Sequence, residues 1–184
     1  MARRRADSVG WIPMIVGGTA LAATGAIVLV ARLGQVAAAS MPRVWNEPRY
    51  APRSEAQIAL FEEAAARAGL PPSWARSAGL VEILSHESDG WVGRPNYTYG
   101  QRAKDRAAWP SIWAELRRGD KSARSSATGL GQLLLSNVDR YYPRGRAGIG
   151  DALDEAMGML RYIHDRYGAP ERAWALYGTL HEGY

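Results

Sequence analysis

Residues 10–31 form one apolar stretch without a charged side chain, which sets them apart from the rest of the chain. At a rise of about 1.5 Å per residue, a helix of this length crosses a bilayer core of about 30 Å. The stretch therefore predicts a transmembrane helix over residues 10–32. Arginines crowd the preceding tail, residues 1–9, so the positive-inside rule places this tail in the cytoplasm and the remaining chain outside it.

An alternative interpretation of the same stretch is a secretory signal peptide. Ala37-Ala38-Ala39 resembles the small-residue site at which such peptides are cleaved. The apolar run is long for a signal peptide, and Arg32 separates it from that site. We therefore favour an uncleaved anchor, and both interpretations export the rest of the chain.

Residues 33–53 change in character from small residues to prolines interleaved with arginines. Such a composition predicts a semi-extended linker that builds no core of its own. Trp45 and Tyr50 are the residues in it that are suited to attach it to a folded domain. The folded domain is then expected over residues 54–184.

Apolar residues beyond Ser54 recur every three or four positions, which predicts helices, and no segment alternates as a strand does. Ser54 and Gln57 are spaced as a capping box, and Asp151 and Ser136 are further candidate caps. Helices are expected from 54 to 69, 74 to 87, 109 to 119, 136 to 142, 151 to 168, and from 170 onward. Residues 92–108 and 119–128 are expected to be loops. The predicted class is all-α, with one transmembrane helix before the domain.

The end of the second predicted helix carries the main candidate for chemistry, Glu87. At about 100° per residue, Leu80 and Leu84 fall within roughly 60° of Glu87, whereas Glu82 points about 140° away. Glu87 is therefore expected at the edge of the core, where burial raises the pKa of a carboxyl group. A carboxyl group that holds a proton near neutral pH is suited to act as a general acid in glycoside cleavage.

Composition removes several classes of function. The formal charge of +5 is concentrated around the apolar stretch, and beyond residue 32 the chain has 19 basic and 17 acidic side chains. This balance does not predict a nucleic-acid-binding surface. Cysteine is absent and the three histidines have no metal-binding spacing, so we expect neither a metal nor another cofactor. Seven Trp and nine Tyr suit sugar-binding grooves and membrane interfaces.

A second candidate segment is Gly129-Leu130-Gly131-Gln132. Glycines on both sides of a leucine give a backbone that can approach a ligand closely, and the glutamine amide offers both a donor and an acceptor. A phosphate-binding loop is not expected, because no Lys follows the glycines and no βαβ pattern surrounds them.

Three segments resemble motifs of the soluble lytic transglycosylase family, which has a lysozyme-like fold of the goose type. His86-Glu87-Ser88-Asp89-Gly90-Trp91 is similar to the Glu-Ser-Gly motif of that family, with Asp89 inserted. The segment 129–132 is similar to its Gly-Leu-Met-Gln motif, with Gly131 in place of Met. The segment 173–178 matches its Ala-x-x-x-Tyr-Asn-x-Gly motif at the tyrosine, Tyr177, and at small residues, and lacks the Asn.

The resemblance implies cleavage of the β-1,4 bond between N-acetylmuramic acid and N-acetylglucosamine in peptidoglycan, with formation of a 1,6-anhydro sugar. Glu87 would perform both proton transfers. Ser88 and Gln132 would position the N-acetyl group or Glu87, and Tyr177 would hydrogen-bond Glu87 or the sugar. Further substrate-binding candidates, as groove walls or backbone contacts, are Trp91, Tyr97, Tyr99, Gly129 and Leu130.

Asp89 leaves a second interpretation open. As a base for water it would make the protein a hydrolytic lysozyme on the same fold, whereas an Asp before Gly90 is also typical of a turn. A third possibility is a catalytically silent structural protein of a membrane or virion. An anchored enzyme without wall-binding repeats would suit a phage particle or a secretion apparatus, where the wall is opened locally, for example for phage genome entry. The expected partners are peptidoglycan strands, a membrane at residues 10–32, and proteins of such an assembly.

Overall fold

The structure is a computed structural model that describes residues 44–177. Within that range the chain forms α-helices and short 3-10 turns, and it forms no β-strand. The all-α class is therefore confirmed for this part of the chain. The predicted tail 1–9, the predicted transmembrane helix 10–32 and residues 33–43 of the predicted linker lie outside the described residues. No helix between residues 44 and 177 is long and apolar enough to cross a membrane.

Seven α-helices follow one another along the described range. They are α1 (Glu55–Ala68), α2 (Ala78–Glu87), α3 (Gln101–Lys104), α4 (Trp109–Arg118), α5 (Leu135–Tyr141), α6 (Ala152–Tyr167) and α7 (Pro170–Tyr177). Short 3-10 turns cover Pro72–Arg76, Tyr97–Tyr99, Arg106–Ala108 and Gly145–Gly148. The expected loop 92–108 thus contains α3 and two of these turns, whereas residues 119–128 are non-helical as predicted.

Side-chain caps explain where several helices begin. The Ser54 hydroxyl accepts the Gln57 N–H at 3.1 Å, and the Asp151 carboxylate accepts the Leu153 and Asp154 N–H groups, both at 3.1 Å. Both caps were predicted, and they replace partners that the first turn of a helix lacks. The Gln57 side chain, however, accepts the Arg53 N–H at 3.1 Å and completes no reciprocal bond to Ser54.

Two predicted helix boundaries are wrong. The predicted helix 74–87 is interrupted at Ser77, whose hydroxyl accepts the Leu80 N–H at 3.0 Å and starts α2 there. A serine that bonds to nearby backbone in this way competes with a continuous helix. Ser136 is not a cap, because α5 begins one residue earlier, at Leu135, and Ser136 is exposed in its first turn.

The core lies between α1 and α6, and α2 packs on α7. On α2 a Cβ atom at Gly79 would lie 2.5 Å from the Pro170 carbonyl oxygen, so glycine allows the starts of α2 and α7 to touch. Both helices run onward from this contact for a similar length. Their carboxyl ends, at Glu87 and Tyr177, are thereby brought together.

Residues 44–53 pack against the rest of the described domain. Tyr50 is buried, and its N–H donates to the Gly90 carbonyl at 2.8 Å. The Arg49 guanidinium lies 2.6 Å from the Asp89 carboxylate. A Cβ atom at residue 90 would lie 2.0 Å from the Tyr50 carbonyl oxygen, so Gly90 is required for this contact. The compact unit therefore begins at Val44, ahead of α1.

Candidate active site

A cleft of about 510 Å³ lies where α2 and α7 end. It is lined by residues from four segments that are far apart in the sequence. These residues are His86, Glu87, Arg94, Pro95, Asn96, Tyr97, Ser125, Ala127, Gln132, Leu134 and Tyr177. Four of the predicted site residues thus line one cleft: Glu87, Tyr97, Gln132 and Tyr177.

Glu87 is the last residue of α2 and is partly buried. Leu80 and Leu84, the residues expected on its side of the helix, are completely buried. Burial raises the pKa of Glu87 to about 7, against a hydrogen bond from Tyr177 that lowers it. Glu82 points elsewhere and pairs with Arg53 at 2.5 Å. The prediction of a pKa raised by the core edge is therefore confirmed.

Tyr177, at the end of α7, is the direct partner of Glu87. Its hydroxyl donates to Glu87 Oε1 at 3.0 Å. Burial and the neighbouring Glu87 raise the pKa of Tyr177, which keeps its hydroxyl protonated. The rings of His86, Trp174 and Tyr177 contact one another, with centroids 5.2 to 5.5 Å apart. These contacts fix the direction from which Tyr177 reaches Glu87.

Gln132 lies on the wall of the cleft with a positive φ of 46°. Its side-chain amide donates to the Arg94 carbonyl at 2.7 Å and to the Gly129 carbonyl at 3.2 Å. Its Oε1 atom lies 3.5 Å from the Asn96 amide nitrogen. Both ends of the amide therefore contact protein, and Gln132 holds this wall together from within.

Residues 94–96 and 127–129 run antiparallel and form this wall. The Asn96 N–H donates to the Ala127 carbonyl at 3.1 Å, and the Gly129 N–H donates to the Arg94 carbonyl at 3.0 Å. Tyr97 follows this wall and is 84% exposed at the rim of the cleft, as expected for a residue that contacts a ligand from outside.

Glu155, which the sequence pattern did not indicate, lies behind this wall. It is completely buried in the first turn of α6. Its carboxylate accepts the N–H groups of Gly93 at 2.9 Å, Leu130 at 3.0 Å and Gly150 at 2.7 Å. Burial raises the pKa of Glu155 to about 7, whereas these three donors lower it. Glu155 thus joins three loops, two of which lead into the cleft.

Gly129 is explained by Glu155 and not by a ligand. A Cβ atom at residue 129, where φ is 80°, would lie 2.9 Å from the Glu155 carboxyl carbon and 2.5 Å from the Tyr142 hydroxyl. Leu130 is completely buried in the core. The expected contacts of Gly129 and Leu130 with substrate are therefore corrected, because this backbone approaches a side chain of its own protein.

Two more predicted substrate contacts lie in the interior. Ser88 is completely buried, and its hydroxyl accepts the Gly90 N–H at 3.2 Å, so it closes the turn after α2 and does not line the cleft. Tyr99 is 7% exposed and belongs to the core. In a 3-10 turn of about 120° per residue, positions two apart cannot share a face, which explains why Tyr97 points outward and Tyr99 inward.

Trp91 and Asp89 lie outside the lining of this cleft. Trp91 lines a second cleft of about 290 Å³, where the Arg106 guanidinium lies 4.3 Å from its ring centroid. Asp89 has a positive φ of 53°, and both its carbonyl and its carboxylate accept hydrogen bonds from Arg49, at 2.9 and 2.6 Å. This geometry is that of a turn residue, the second of the two roles considered for Asp89.

The cleft can exchange a proton with a ligand at Glu87. Among residues 44–177 no group of three His, Cys, Asp or Glu side chains is placed to hold a metal ion. Comparisons with protein-family models, with curated proteins and with solved structures found no match to this chain. The function must therefore be inferred from the residues of the cleft.

Proposed function

We propose that the protein is a peptidoglycan lytic transglycosylase and that Glu87 is its catalytic residue. The observation that carries the proposal is the meeting of Glu87, Gln132 and Tyr177 in one cleft, although 45 residues separate each from the next. These are the residues that the resemblance to the soluble lytic transglycosylases selects. A lysozyme-like fold of the goose type is part of the same proposal.

In the first step, protonated Glu87 donates its proton to the oxygen of the bond between N-acetylmuramic acid and N-acetylglucosamine. With a pKa raised to about 7, Glu87 can hold that proton near neutral pH, which an ordinary carboxyl group does not. The bond from the muramoyl C1 to this oxygen breaks, and the N-acetylglucosamine end leaves as an alcohol. The N-acetyl group of the muramoyl unit stabilises the positive charge that develops at C1.

In the second step, the Glu87 carboxylate accepts the proton of the muramoyl O6 hydroxyl. O6 then forms a bond to C1, which closes the 1,6-anhydro ring and returns Glu87 to its protonated form. No water is consumed. The Tyr177 hydroxyl, 3.0 Å from Glu87 Oε1, stabilises the carboxylate between the two steps and holds it in place.

The position of Asp89 favours this scheme over a hydrolytic lysozyme. Two-carboxylate glycosidases place a second acid beside the scissile bond. Asp89 lies outside the lining of the cleft and is paired with Arg49. Glu87 is the one carboxyl group among the described residues that line the cleft.

The biological setting is an expectation that follows from the apolar stretch. An anchor at residues 10–32, outside the described residues, would hold the enzyme at the membrane and restrict cleavage to nearby wall. Such a restriction suits a virion component or a secretion apparatus, which needs one local opening.

The product distinguishes the candidate functions. Isolated sacculi are digested with the full-length protein in detergent, and the released fragments are analysed by mass spectrometry. We expect muropeptides that end in 1,6-anhydro-N-acetylmuramic acid. Reducing muramic ends, heavier by one water, would establish a hydrolase instead. Intact sacculi with wild-type protein, indistinguishable from a Glu87→Gln digest, would establish a catalytically silent protein.

A further inference from the structure

Arg94 is the cationic side chain of the cleft, and its guanidinium has no protein partner within residues 44–177. It is partly buried, and its side chain makes neither an ion pair nor a hydrogen bond there. Most other arginines in this range pair with a carboxylate. Those that do are Arg49, Arg53, Arg67, Arg76, Arg102, Arg118, Arg140, Arg144 and Arg146.

Six others in this range have other partners or surroundings. Arg117 and Arg161 donate to backbone carbonyls, and Arg106 and Arg166 lie over aromatic rings. Arg124 and Arg172 are exposed, where water satisfies a guanidinium. Arg94 differs from them because the cleft covers part of its side chain. A partly buried guanidinium has five N–H donors, and leaving them without an acceptor is unfavourable. The cleft therefore presents donors that no protein group occupies to a ligand that enters it.

The charge of the cleft favours an anionic acceptor. Glu87 is the one acidic side chain among the described lining residues, and at neutral pH it is ionised only in part. The arginine guanidinium of Arg94 supplies a positive charge. A cleft with this balance of charge attracts a negative group.

The backbone of Arg94 is held on both sides, so its position is well defined. Its carbonyl accepts hydrogen bonds from the Gln132 side chain at 2.7 Å and from the Gly129 N–H at 3.0 Å. The preceding residue, Gly93, is bound to buried Glu155 at 2.9 Å. A carboxylate that binds Arg94 therefore has to order only the side-chain torsions, because the backbone is already fixed.

We propose that Arg94 binds a carboxylate of the muramoyl unit and thereby selects glycan strands that carry one. This inference rests on the proposed function. A planar guanidinium pairs with a carboxylate through two parallel hydrogen bonds, which a neutral sugar cannot replace. The carboxylate belongs either to the lactyl group, which is free once the stem peptide is removed, or to the stem peptide itself.

The test compares three substrates with the full-length protein in detergent. Peptide-bearing strands present stem-peptide carboxylates, and strands stripped by an amidase present free lactyl carboxylates. Stripped strands whose carboxylates have been coupled to methylamine present neither. The variants are Arg94→Gln, which removes the charge, and Arg94→Lys, which keeps it but not the planar fork. Arg172→Ala is the control, because Arg172 is exposed on α7 and does not line the cleft.

On strands that carry the recognised carboxylate, we expect Arg94→Gln to lower kcat/KM by about 10- to 100-fold, the range of a charge-assisted hydrogen bond. The loss should appear in KM, because the contact is equal in ground and transition states. Arg94→Lys should lie between Arg94→Gln and the wild type, and Arg172→Ala should match the wild type. The stripped and peptide-bearing arms identify which carboxylate is bound.

On methylamine-coupled strands the kcat/KM of the wild type should fall to that of Arg94→Gln. The kcat/KM of Arg94→Gln should be no lower on these strands than on strands with free carboxylates. If blocking the carboxylates lowers both proteins by the same factor, Arg94 does not contact the carboxylate and the proposal is overturned.

Binding separates this proposal from the proposed function. The affinity of peptide-bearing, stripped and coupled strands is measured by calorimetry in a Glu87→Gln background, with and without Arg94→Gln. Carboxylate-dependent binding that requires Arg94, in a protein whose wild type cleaves nothing, would support the Arg94 site and overturn the enzyme assignment. Cleavage by the wild type without such binding would support the enzyme assignment and overturn the Arg94 site. The absence of both cleavage and binding would overturn both proposals.

Discussion

Glu87 and Glu155 have the same raised pKa, about 7, but they occupy opposite environments. Glu87 is partly buried at the open end of α2 and accepts one hydrogen bond from within residues 44–177, from Tyr177. Glu155 is completely buried in the first turn of α6 and accepts three backbone hydrogen bonds. One carboxyl group faces a cleft, and the other faces the loops that build it.

The difference shows that a raised pKa does not by itself identify a catalytic acid. In both residues burial raises the pKa and hydrogen bonds lower it, and similar values arise from different balances. What separates the residues is access. Glu87 keeps room for a ligand, whereas both oxygens of Glu155 are occupied by Gly93, Leu130 and Gly150. We therefore expect substitutions at the two positions to damage different properties.

The largest effect is expected for activity in Glu87→Gln. The amide cannot donate and recover a proton, so kcat/KM should fall by about 10²- to 10⁴-fold in a sacculus-clearing assay. The free energy of unfolding should not decrease at pH 8, because the variant removes a partly buried charge.

The matched control for that variant is Glu82→Gln, on the opposite side of α2 and paired with Arg53. Its activity should remain within about twofold of the wild type, because Glu82 does not line the cleft and the ion pair that it loses contributes little to stability. An inactive Glu82→Gln, or a fully active Glu87→Gln, would contradict the assignment of the catalytic face of α2.

Glu155→Gln should instead lower stability. The amide can accept on its oxygen, but its NH₂ group then faces a backbone N–H, which leaves a buried donor unsatisfied. We expect a loss of about 1–3 kcal/mol in the free energy of unfolding, measured by urea denaturation at pH 5, where wild-type Glu155 is neutral as well and no buried charge is removed. Glu171→Gln, an exposed acid in the first turn of α7, should change it by less than about 0.5 kcal/mol. Unchanged stability in Glu155→Gln would refute the structural role.

The pH profile sharpens the comparison further. Glu87 must be protonated to act, so kcat/KM should fall above pH 7, about tenfold per unit. In Tyr177→Phe the fall should move to higher pH by up to about one unit, because the lost hydrogen bond no longer lowers the pKa of Glu87. In Glu155→Gln, kcat/KM should begin to fall at the same pH as in the wild type. A change in that pH would assign the titration to Glu155.

Stability should follow pH in the direction set by both carboxyl groups. Their pKa values in the folded protein, about 7, lie above the ordinary value of 4.5, so the folded state binds more protons between these limits. The free energy of unfolding should therefore decrease as pH rises from 4.5 to 7. Each Gln variant should flatten this slope.

The smallest effect is expected for Asp89→Asn. It removes an ion pair with Arg49 whose two side chains are 37% and 47% exposed, and such pairs contribute about 0–1 kcal/mol. Asn also tolerates the positive φ at this position. Activity and the anhydro product should be retained, and a loss above about 100-fold would make Asp89 a participant and favour a hydrolase.

Local rules predicted the parts of the site that depend on one helix. The orientation of Glu87 follows from the 100° rotation per residue in α2. The first residues of α1 and α6 follow from the caps Ser54 and Asp151. The resemblance selected Gln132 and Tyr177, but their approach to Glu87 depends on the packing of α2 on α7. That packing in turn depends on Gly79, whose partner Pro170 lies 91 residues further along the chain.

Glu155 was missed because an acid in the first turn of a helix is usually explained by the helix dipole. A signal was nevertheless present in the sequence. Glu155 occupies the apolar stripe of α6, three residues after Ala152 and four before Met159, both of which are buried. A charged residue on a buried stripe needs partners, but the N–H donors come from distant loops whose positions no local pattern specifies.

The contact between Tyr50 and Gly90 determines how far the protein can be shortened for study. Removing everything before Ser54 would empty the space that Tyr50 fills, leave the Gly90 carbonyl without its donor and release Asp89 from Arg49, three residues or fewer from Glu87. A fragment that begins at Ser54 would therefore contain every helix of the described domain and still disturb the turn beside its candidate acid. A fragment that begins at Val44 retains these contacts and is the appropriate version to express and crystallise.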